Sequence, residues 1–180
     1  MMSMLVVFYL FVFLFAVIGA MRGWAKEMLV IFSVILALAF ISVIELLIPV
    51  LGPFITSNPV LQYYVRISVV IILVFFGYQS PRITRLAKAA EKRDRIQDVL
   101  LGLIMGAISG YMIVGTIWYF ANVANYPMLT DYVVPPSPQV PGGDAALRMI
   151  RILPPVWLGK PPNIYIAVVL AFIFVIAVFV

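Results

Sequence analysis

The sequence predicts an all-α protein that crosses a membrane several times. Hydrophobic residues make up 65% of the 180 residues and charged residues 11%, against about 45–50% and 25% in soluble globular domains. The apolar residues also occur in runs long enough to cross roughly 30 Å of hydrocarbon as helices. A water-soluble chain of this length has too little interior for so much apolar surface. That surface must therefore face lipid or other membrane helices.

About five segments come close to the 20 or so apolar residues that a membrane-spanning helix needs. They run approximately over 4–20, 28–51, 61–78, 99–123 and 164–180. The first run carries its positive charge after the apolar core, whereas a cleaved signal peptide carries it before. We interpret this run as an uncleaved anchor. The chain then divides into a membrane domain, a loop and a last helix, over 1–123, 124–163 and 164–180.

The distribution of Lys and Arg predicts the orientation. The connection after the first span has two basic residues and the connection after the third has six. If all five spans cross, both connections lie on the same side, and the basic-rich side of a membrane protein is cytoplasmic. We therefore expect the N-terminus outside, the C-terminus inside, and the loop over 124–163 outside.

The loop over 124–163 holds nine of the thirteen prolines. Proline has no amide donor and a fixed φ, so most of this loop is predicted to be extended. A short helix is expected over 144–152, with Asp144 as its N-terminal cap. Two interpretations stay open at this point. The loop is either a semi-rigid tether to the last span or a docking arm anchored by Tyr132 and Trp157.

Small residues recur at helical spacing in the fourth and first spans. They are Gly102, Gly106 and Gly110 in the fourth, and Ala16, Gly19, Ala20 and Gly23 at the end of the first. Residues four apart share a helix face, and a face without side chains lets another backbone approach closely. We predict helix packing here, either within this chain or, as the alternative, along a seam with a partner chain.

Two pairs of opposite charges flank the second span. Arg22 satisfies the positive-inside rule and Glu27 lies near the positive end of the next helix dipole. The functional alternative is that they form a fixed polar pair lining a site at the cytoplasmic surface. Glu45 is the carboxylate placed well within an apolar span, which by itself suggests a function.

The depth of Glu45 argues for a structural pairing. It lies about 28 Å beyond Lys26, and Arg66 lies about 24 Å before Arg82, at 1.5 Å per helical residue. Both side chains should then be near the outer interface, on helices joined by a short loop. We predict a salt bridge between Glu45 and Arg66, which a separation above about 8 Å would refute.

Six of the twelve basic residues cluster between the third and fourth spans. A weak apolar stripe there predicts an amphipathic helix over 81–98 on the cytoplasmic leaflet. Each basic residue near anionic lipid contributes about 1 kcal/mol. The expected lipid contacts are Arg82, Arg85, Lys88 and Lys92. Binding of an acidic partner is the alternative.

The residues that are missing bear on chemistry. The sequence has no His and no Cys, which are the usual ligands of metals and haem. We expect no directly ligated metal or cofactor, although lipids or pigments without such ligands could bind. The seven acidic residues are scattered along the sequence, so an enzyme is not expected. The net charge of +5 follows from membrane orientation, and a nucleic-acid partner is not expected.

Two motifs occur together in this chain. The first is G-x-x-R-G-x-x-x-E, with Gly19, Arg22, Gly23 and Glu27. The second is D-R followed by G-x-x-x-G-x-x-x-G, with Asp94, Arg95, Gly102, Gly106 and Gly110. Their order over about 5–121 resembles the bacterial CvpA family, the colicin V production proteins.

The resemblance implies a four-helix inner-membrane domain over 1–123 with a role in envelope functions such as colicin production. In some relatives a similar domain anchors an extracytoplasmic serine protease. We expect no protease here, because 180 residues leave no room for one and the sequence has no His. The family often has Arg just before the last glycine of the second motif, where this chain has Ser109. The proline-rich loop and the last helix lie beyond the resemblance.

Two functions therefore remain. The first is a non-catalytic scaffold or accessory subunit that packs against other subunits of a larger bacterial membrane complex, for example a respiratory or photosynthetic one. The alternative is an independent CvpA-like protein in envelope maintenance, colicin production or export, or small-solute passage. The alternative predicts a polar cavity lined by Arg22, Glu27, Asp94 and Arg95.

Overall fold

A computed structural model describes residues 2–47, 57–79, 95–127 and 133–179 of the protein. Its helices in chain order are α1 (Met4–Arg22), α2 (Trp24–Leu47), α3 (Pro59–Tyr78), α4 (Arg95–Val123), α5 (Gly143–Ile150), α6 (Pro154–Trp157) and α7 (Asn163–Phe179). Two-residue strands β1 (Met2–Ser3) and β2 (Val133–Val134) complete the described part.

The expected all-α, multi-pass architecture is confirmed. Among the described residues, α1 to α4 are long and apolar enough to cross a membrane. The fifth predicted span, α7, is apolar but has 17 residues, which is about 26 Å of helix and slightly less than the hydrocarbon thickness.

Helices α2 and α4 begin earlier than the sequence predicts. The apolar run suggests a start near residue 28 for the second span, but α2 begins at Trp24 and includes Lys26 and Glu27. Likewise α4 begins at Arg95 rather than near 99. Charged residues in the first turn are compatible with a helix because they lie at the interface, and acidic ones are favoured there by the dipole. The apolar run therefore marks the hydrocarbon depth rather than the helix end.

The core lies between α1, α2 and α4. The buried rings of Phe8 and Trp118 lie 5.4 Å apart between α1 and α4, and Val30 and Val34 of α2 are fully buried. Helix α3 packs against α2 and α4. Helix α7 packs along α2, where the rings of Phe32 and Phe174 are 5.2 Å apart.

The chain is tied together at one end of the bundle. Strand β1 pairs in parallel with β2, with Met2 opposite Val133. The start of α1 and the segment after α4 therefore lie at the same end. Just before that segment, Trp118 Nε1 donates a hydrogen bond of 3.1 Å to the Tyr126 hydroxyl. Burial raises the pKa of Tyr126 to about 12, so this phenol is neutral at physiological pH.

The segment over 133–162 folds onto the bundle. The short helix expected over 144–152 is present as α5, whereas the prediction of extended chain is wrong for Pro154–Trp157, which form α6. Proline is well suited to the first turn of a helix because its amide has no partner there, and α6 begins at Pro154 and Pro155. Leu153 and Pro154 are buried against Gly115 of α4. The Tyr111 hydroxyl donates to the carbonyl oxygen of Ile152. We call residues 137–162 the cap.

The predicted capping role of Asp144 is wrong. Helix α5 begins at Gly143, and its N-cap is Gly142, which has a left-handed conformation with φ of 78°. Asp144 therefore lies inside the first turn, where its charge faces the positive end of the dipole. The glycine pair starts the helix one residue earlier than the sequence pattern predicts.

Several predicted features lie outside the described residues. These are the amphipathic helix over 81–94 with Arg82, Arg85, Lys88, Lys92 and Asp94, and the proposed anchor Tyr132. Arg95 begins α4, and its side chain also lies outside the described set.

Candidate functional sites at the two ends of the bundle

The glycines of α4 pack against α1 of the same chain. A Cβ atom added to Gly106 would lie 2.8 Å from the Cα atom of Gly19 and 3.1 Å from that of Ala16. The first distance is shorter than real Cβ contacts allow and the second is tighter than most, so the two backbones are in direct contact. Gly102 faces the Gly19 carbonyl in the same way, and a Cβ on Gly110 would lie 2.7 Å from the Cβ of Phe15. In the described structure this face is used within the chain.

Gly23 connects α1 to α2. It is the single non-helical residue between them, with φ of 87°, a conformation that residues with a Cβ rarely adopt. Its amide donates to the Gly19 carbonyl over 2.9 Å, which ends α1. A Cβ here would also lie 3.1 Å from an oxygen of Asp98. The short turn brings the last residue of α1 next to the first turn of α2.

This turn positions an ion pair whose carboxylate is fully buried and whose guanidinium side chain is 21% exposed. Arg22 Nη1 lies 2.7 Å from Oε1 of Glu27, whose side chain is 0% exposed. Ser109 Oγ of α4 donates a second bond of 2.7 Å to Oε2. Both carboxylate oxygens of Glu27 are therefore hydrogen-bonded, as a buried charge requires.

The guanidinium of Arg22 extends the cluster to α3. Its Nη2 donates to the backbone oxygen of Tyr78 over 3.3 Å, and its Cζ lies 4.1 Å from the centre of the Tyr78 ring. We call Arg22, Glu27, Tyr78 and Ser109 the inner cluster, because the sequence predicts this end to be cytoplasmic. The inner cluster joins α1, α2, α3 and α4.

Ser109 was not predicted as a partner of Glu27. It lies between Gly106 and Gly110, and once that glycine face docks on Gly19, a side chain at 109 comes close to the start of α2. The CvpA family often has Arg at this position. The residue at which this chain departs from the family pattern is therefore a direct hydrogen-bond donor to the Glu27 carboxylate. The two motifs considered together indicate this contact, because Glu27 belongs to the first and Ser109 lies within the second.

The second pair is at the other end of the bundle. Arg66 donates to Glu45 through Nε at 2.8 Å and Nη2 at 2.9 Å, far inside the 8 Å limit set above. Gln62 Nε2 also donates to Glu45 Oε1, the oxygen that accepts from Arg66 Nε, over 3.3 Å. The Arg66 and Glu45 side chains are 16% and 19% exposed, so this pair is partly open.

A cavity of about 500 Å³ lies beside Glu45 and Arg66. Its walls come from α2, α3, α4 and the cap, so it closes only because the cap folds back. The lining residues are Leu38, Ile41, Ser42, Glu45, Gln62, Arg66, Tyr119, Phe120, Val123, Pro155, Gly159, Lys160 and Pro161. We call it the cap cavity. A smaller, apolar cavity of about 310 Å³ lies between α2, α3 and α7.

The fold and these sites define a class of protein. The chain is a multi-pass α-helical membrane protein whose first four helices are held by a glycine interface and a buried ion pair. Residues 6–136 match the family described as Colicin V production protein. The chain belongs to this family, and it is a multi-pass protein of the bacterial inner membrane.

The match covers α1 to α4 and β2, whereas α5, α6 and α7 lie beyond it. None of the curated proteins and none of the solved structures matches the chain. In the described residues, no three His, Cys, Asp or Glu side chains are grouped as a metal site would need.

Proposed function

We propose that the chain is a non-catalytic accessory subunit that binds other proteins of a larger inner-membrane assembly. The observation that carries this proposal is the cap, which lies beyond the family match and is fixed to the family domain. Ile152, next to the buried Leu153, is bonded to Tyr111 of α4. A rigid addition of this kind supports binding, because a preorganised surface loses little entropy when a partner docks.

The surface of the cap has features of a binding site. The Trp157 side chain is 48% exposed and the neighbouring Ile152 56% exposed. Trp157 is also held in place, since its Nε1 donates to the Tyr111 hydroxyl over 3.4 Å and its carbonyl accepts from Asn163 over 2.7 Å. Exposed but fixed tryptophans are typical anchors of interfaces.

The partner surface we assign is the cap and α7, rather than the glycines. The glycine face of α4 is occupied by α1. On α7, Ile166, Leu170 and Ile173 form one exposed apolar face, which in a membrane can meet another helix as well as lipid.

The family description indicates the cellular process that the assembly would serve. Its printed description is colicin V production, and we propose that the assembly serves production or export of such a peptide, or a related envelope process. Independent action in small-solute passage is the second candidate. The polar lining of the cap cavity, with Glu45, Arg66 and Lys160, favours it.

Mild detergent extraction from the native membrane tests the proposal. The tagged chain is sized on a native gel and co-migrating proteins are identified by mass spectrometry. We expect stoichiometric co-migration with a larger complex, and loss of that complex in Trp157→Ala. The matched control is Phe13→Ala, which removes a 71% exposed aromatic ring from the lipid-facing side of α1 and should leave the complex intact. A wild-type monomer or homo-oligomer would contradict the accessory role and favour the independent one.

A further inference from the structure

The cap cavity has one polar wall and one apolar wall. Glu45, Gln62 and Arg66 form the polar wall, with Lys160 of the cap at its rim. The apolar wall is formed by apolar and aromatic side chains of α2 and α4, and it meets the polar wall where the centre of the Phe120 ring lies 5.0 Å from Arg66 Cζ. The side chains of the apolar wall are Leu38, Ile41, Tyr119, Phe120 and Val123. A cavity with both walls suits a ligand that is polar at one end and apolar at the other.

The hydrogen bonds of the polar wall leave donors rather than acceptors. Both oxygens of Glu45 accept from Arg66, and Oε1 accepts also from Gln62. A guanidinium has five N–H groups, and the bonds to Glu45 use two of them. The remaining three have no acceptor among the described residues. The Lys160 ammonium likewise forms no ion pair with a described carboxylate.

The charges in the cavity fix the sign of the ligand. Arg66 and Lys160 contribute two positive charges and Glu45 one negative charge, so the lining carries a net charge of +1. A ligand with one negative charge and several acceptor oxygens would balance both the charge and the free donors. A phosphate group esterified twice has this charge and two free oxygens, and it is a good acceptor for Arg and Lys.

The position of the cavity in the bundle favours a lipid as the carrier of that group. Glu45 is two residues from the end of α2, and Arg66 is seven residues from the start of α3, or about 10 Å along the helix. The polar wall therefore lies near one interface of the membrane, where phospholipid phosphates are found. The apolar wall continues along α2 and α4 toward the hydrocarbon.

We propose that the cap cavity binds a singly charged phosphate group, carried by an anionic phospholipid whose acyl chain lies along Tyr119, Phe120 and Val123. Lys160 and the free N–H groups of Arg66 hold the phosphate, and Glu45 fixes the Arg66 guanidinium. This inference goes beyond the accessory role and does not depend on it, since it concerns the purified chain alone.

Native mass spectrometry of the purified full chain in detergent micelles tests the site. The micelles contain phosphatidylglycerol or phosphatidylcholine with the same acyl chains, and the apparent affinity of the retained lipid is measured. We expect one phosphatidylglycerol to be retained in preference to phosphatidylcholine. Lys160→Gln should weaken this binding about fivefold, since one basic contact to anionic lipid is lost.

Two further variants separate the cavity from general surface charge. Arg151→Gln removes the same unit charge from an exposed cap residue outside the cavity lining and should leave the affinity unchanged. Val123→Phe fills part of the cavity with a larger side chain. The position is 43% exposed, so the fold tolerates the change, and binding should weaken without any change in charge. An equal loss in Lys160→Gln and Arg151→Gln, or no preference for phosphatidylglycerol, would overturn the proposal.

Inorganic phosphate, added to the chain with phosphatidylglycerol bound, provides the last arm. We expect no Lys160-dependent displacement of phosphatidylglycerol by millimolar phosphate, because phosphate alone gains nothing from the apolar wall. Displacement that is lost in Lys160→Gln would overturn the lipid as the carrier and assign the cavity to free phosphate.

Discussion

The two ion pairs, Arg22–Glu27 and Glu45–Arg66, have the same chemistry in different surroundings. Glu27 and Glu45 are 18 residues apart on α2, or about 27 Å, so they lie at opposite ends of the bundle. Glu27 is fully buried and bonded by side chains of α1 and α4. Glu45 is partly exposed and faces a cavity.

The difference separates a structural role from a binding role. A fully buried carboxylate such as Glu27 cannot be reached by a ligand, and removing its partner leaves an uncompensated charge. A partly exposed pair beside a cavity contributes less to the stability of the fold, but its free N–H groups can bind a ligand that enters the cavity. The inner cluster therefore fixes the helices, and the pair at the cap orients a site.

The largest effect is expected for Arg22→Ala. It leaves the Glu27 carboxylate, which is 0% exposed, without its cation, so we predict a loss of about 3–5 kcal/mol in the free energy of unfolding. Unfolding in mixed SDS micelles, followed by circular dichroism, measures it. Arg66→Ala is the matched variant in the open pair, because the Glu45 carboxylate that it leaves is partly exposed, and it should lose about 1 kcal/mol. Equal losses would contradict the distinction between the two ends.

The next effect tests whether the glycine interface holds the inner cluster together. Gly106→Ala places a Cβ 2.8 Å from the Gly19 Cα, and backbone cannot yield as a side chain can. We predict a loss of about 1–3 kcal/mol in the same unfolding measurement.

Gly110→Ala tests the same interface one turn further along α4, because its Cβ would lie 2.7 Å from the Phe15 Cβ and 3.2 Å from the Val12 Cα. Neither atom moves when the ring rotates, so we expect a loss of similar size. Ile104→Ala, at a 50% exposed position of α4, is the control and should change the free energy of unfolding by less than about 0.5 kcal/mol. Losses in the glycine variants no larger than in Ile104→Ala would show that close backbone contact does not stabilise the interface.

A smaller effect is expected for Ser109→Ala. The variant removes one of the hydrogen bonds to the buried Glu27, which corresponds to about 1–2 kcal/mol. Ser33→Ala removes a hydroxyl that donates to its own helix at Leu29 and should change the free energy of unfolding by less than about 0.5 kcal/mol. Losses of the same size in both variants would mean that Ser109 acts as an ordinary helix serine.

A loss of stability of about 1 kcal/mol or less is expected for Glu45→Gln, because glutamine keeps an acceptor for Arg66 and the site is partly open. Its effect on charge is larger, since the cavity lining changes from +1 to +2. Retention of phosphatidylglycerol in micelles should therefore fall little or rise, whereas it falls in Lys160→Gln. A destabilisation comparable to that of Arg22→Ala would place Glu45 with the structural pair.

Features that depend on a helix's own length and rise could be predicted from the sequence. The spans follow from apolar run length, and the closeness of Glu45 and Arg66 follows from counting residues along two helices joined by a short loop. Neither needs knowledge of which faces pack. The depth of a residue in a membrane is a one-dimensional quantity, and the chain order supplies it.

Features that depend on which elements dock could not be predicted in the same way. Ser109 and Glu27 are 82 residues apart in sequence, and their contact exists only because α4 lies on α1. The helix at Pro154 was missed because proline pairs suggest extended chain, although proline also fits a first turn. The cap cavity could not be predicted either, since its roof is the folded cap.

The single-residue link at Gly23 has a mechanical consequence. A loop of several residues would absorb a shift of one helix relative to the next, whereas one residue leaves almost no slack. Any sliding of α1 along its axis is therefore transmitted to the start of α2, and the pair moves freely only by pivoting at Gly23. Because Glu27 is four residues beyond this pivot and bonded to α4, the pivot is also braced. This end of the bundle therefore behaves as one stiff body.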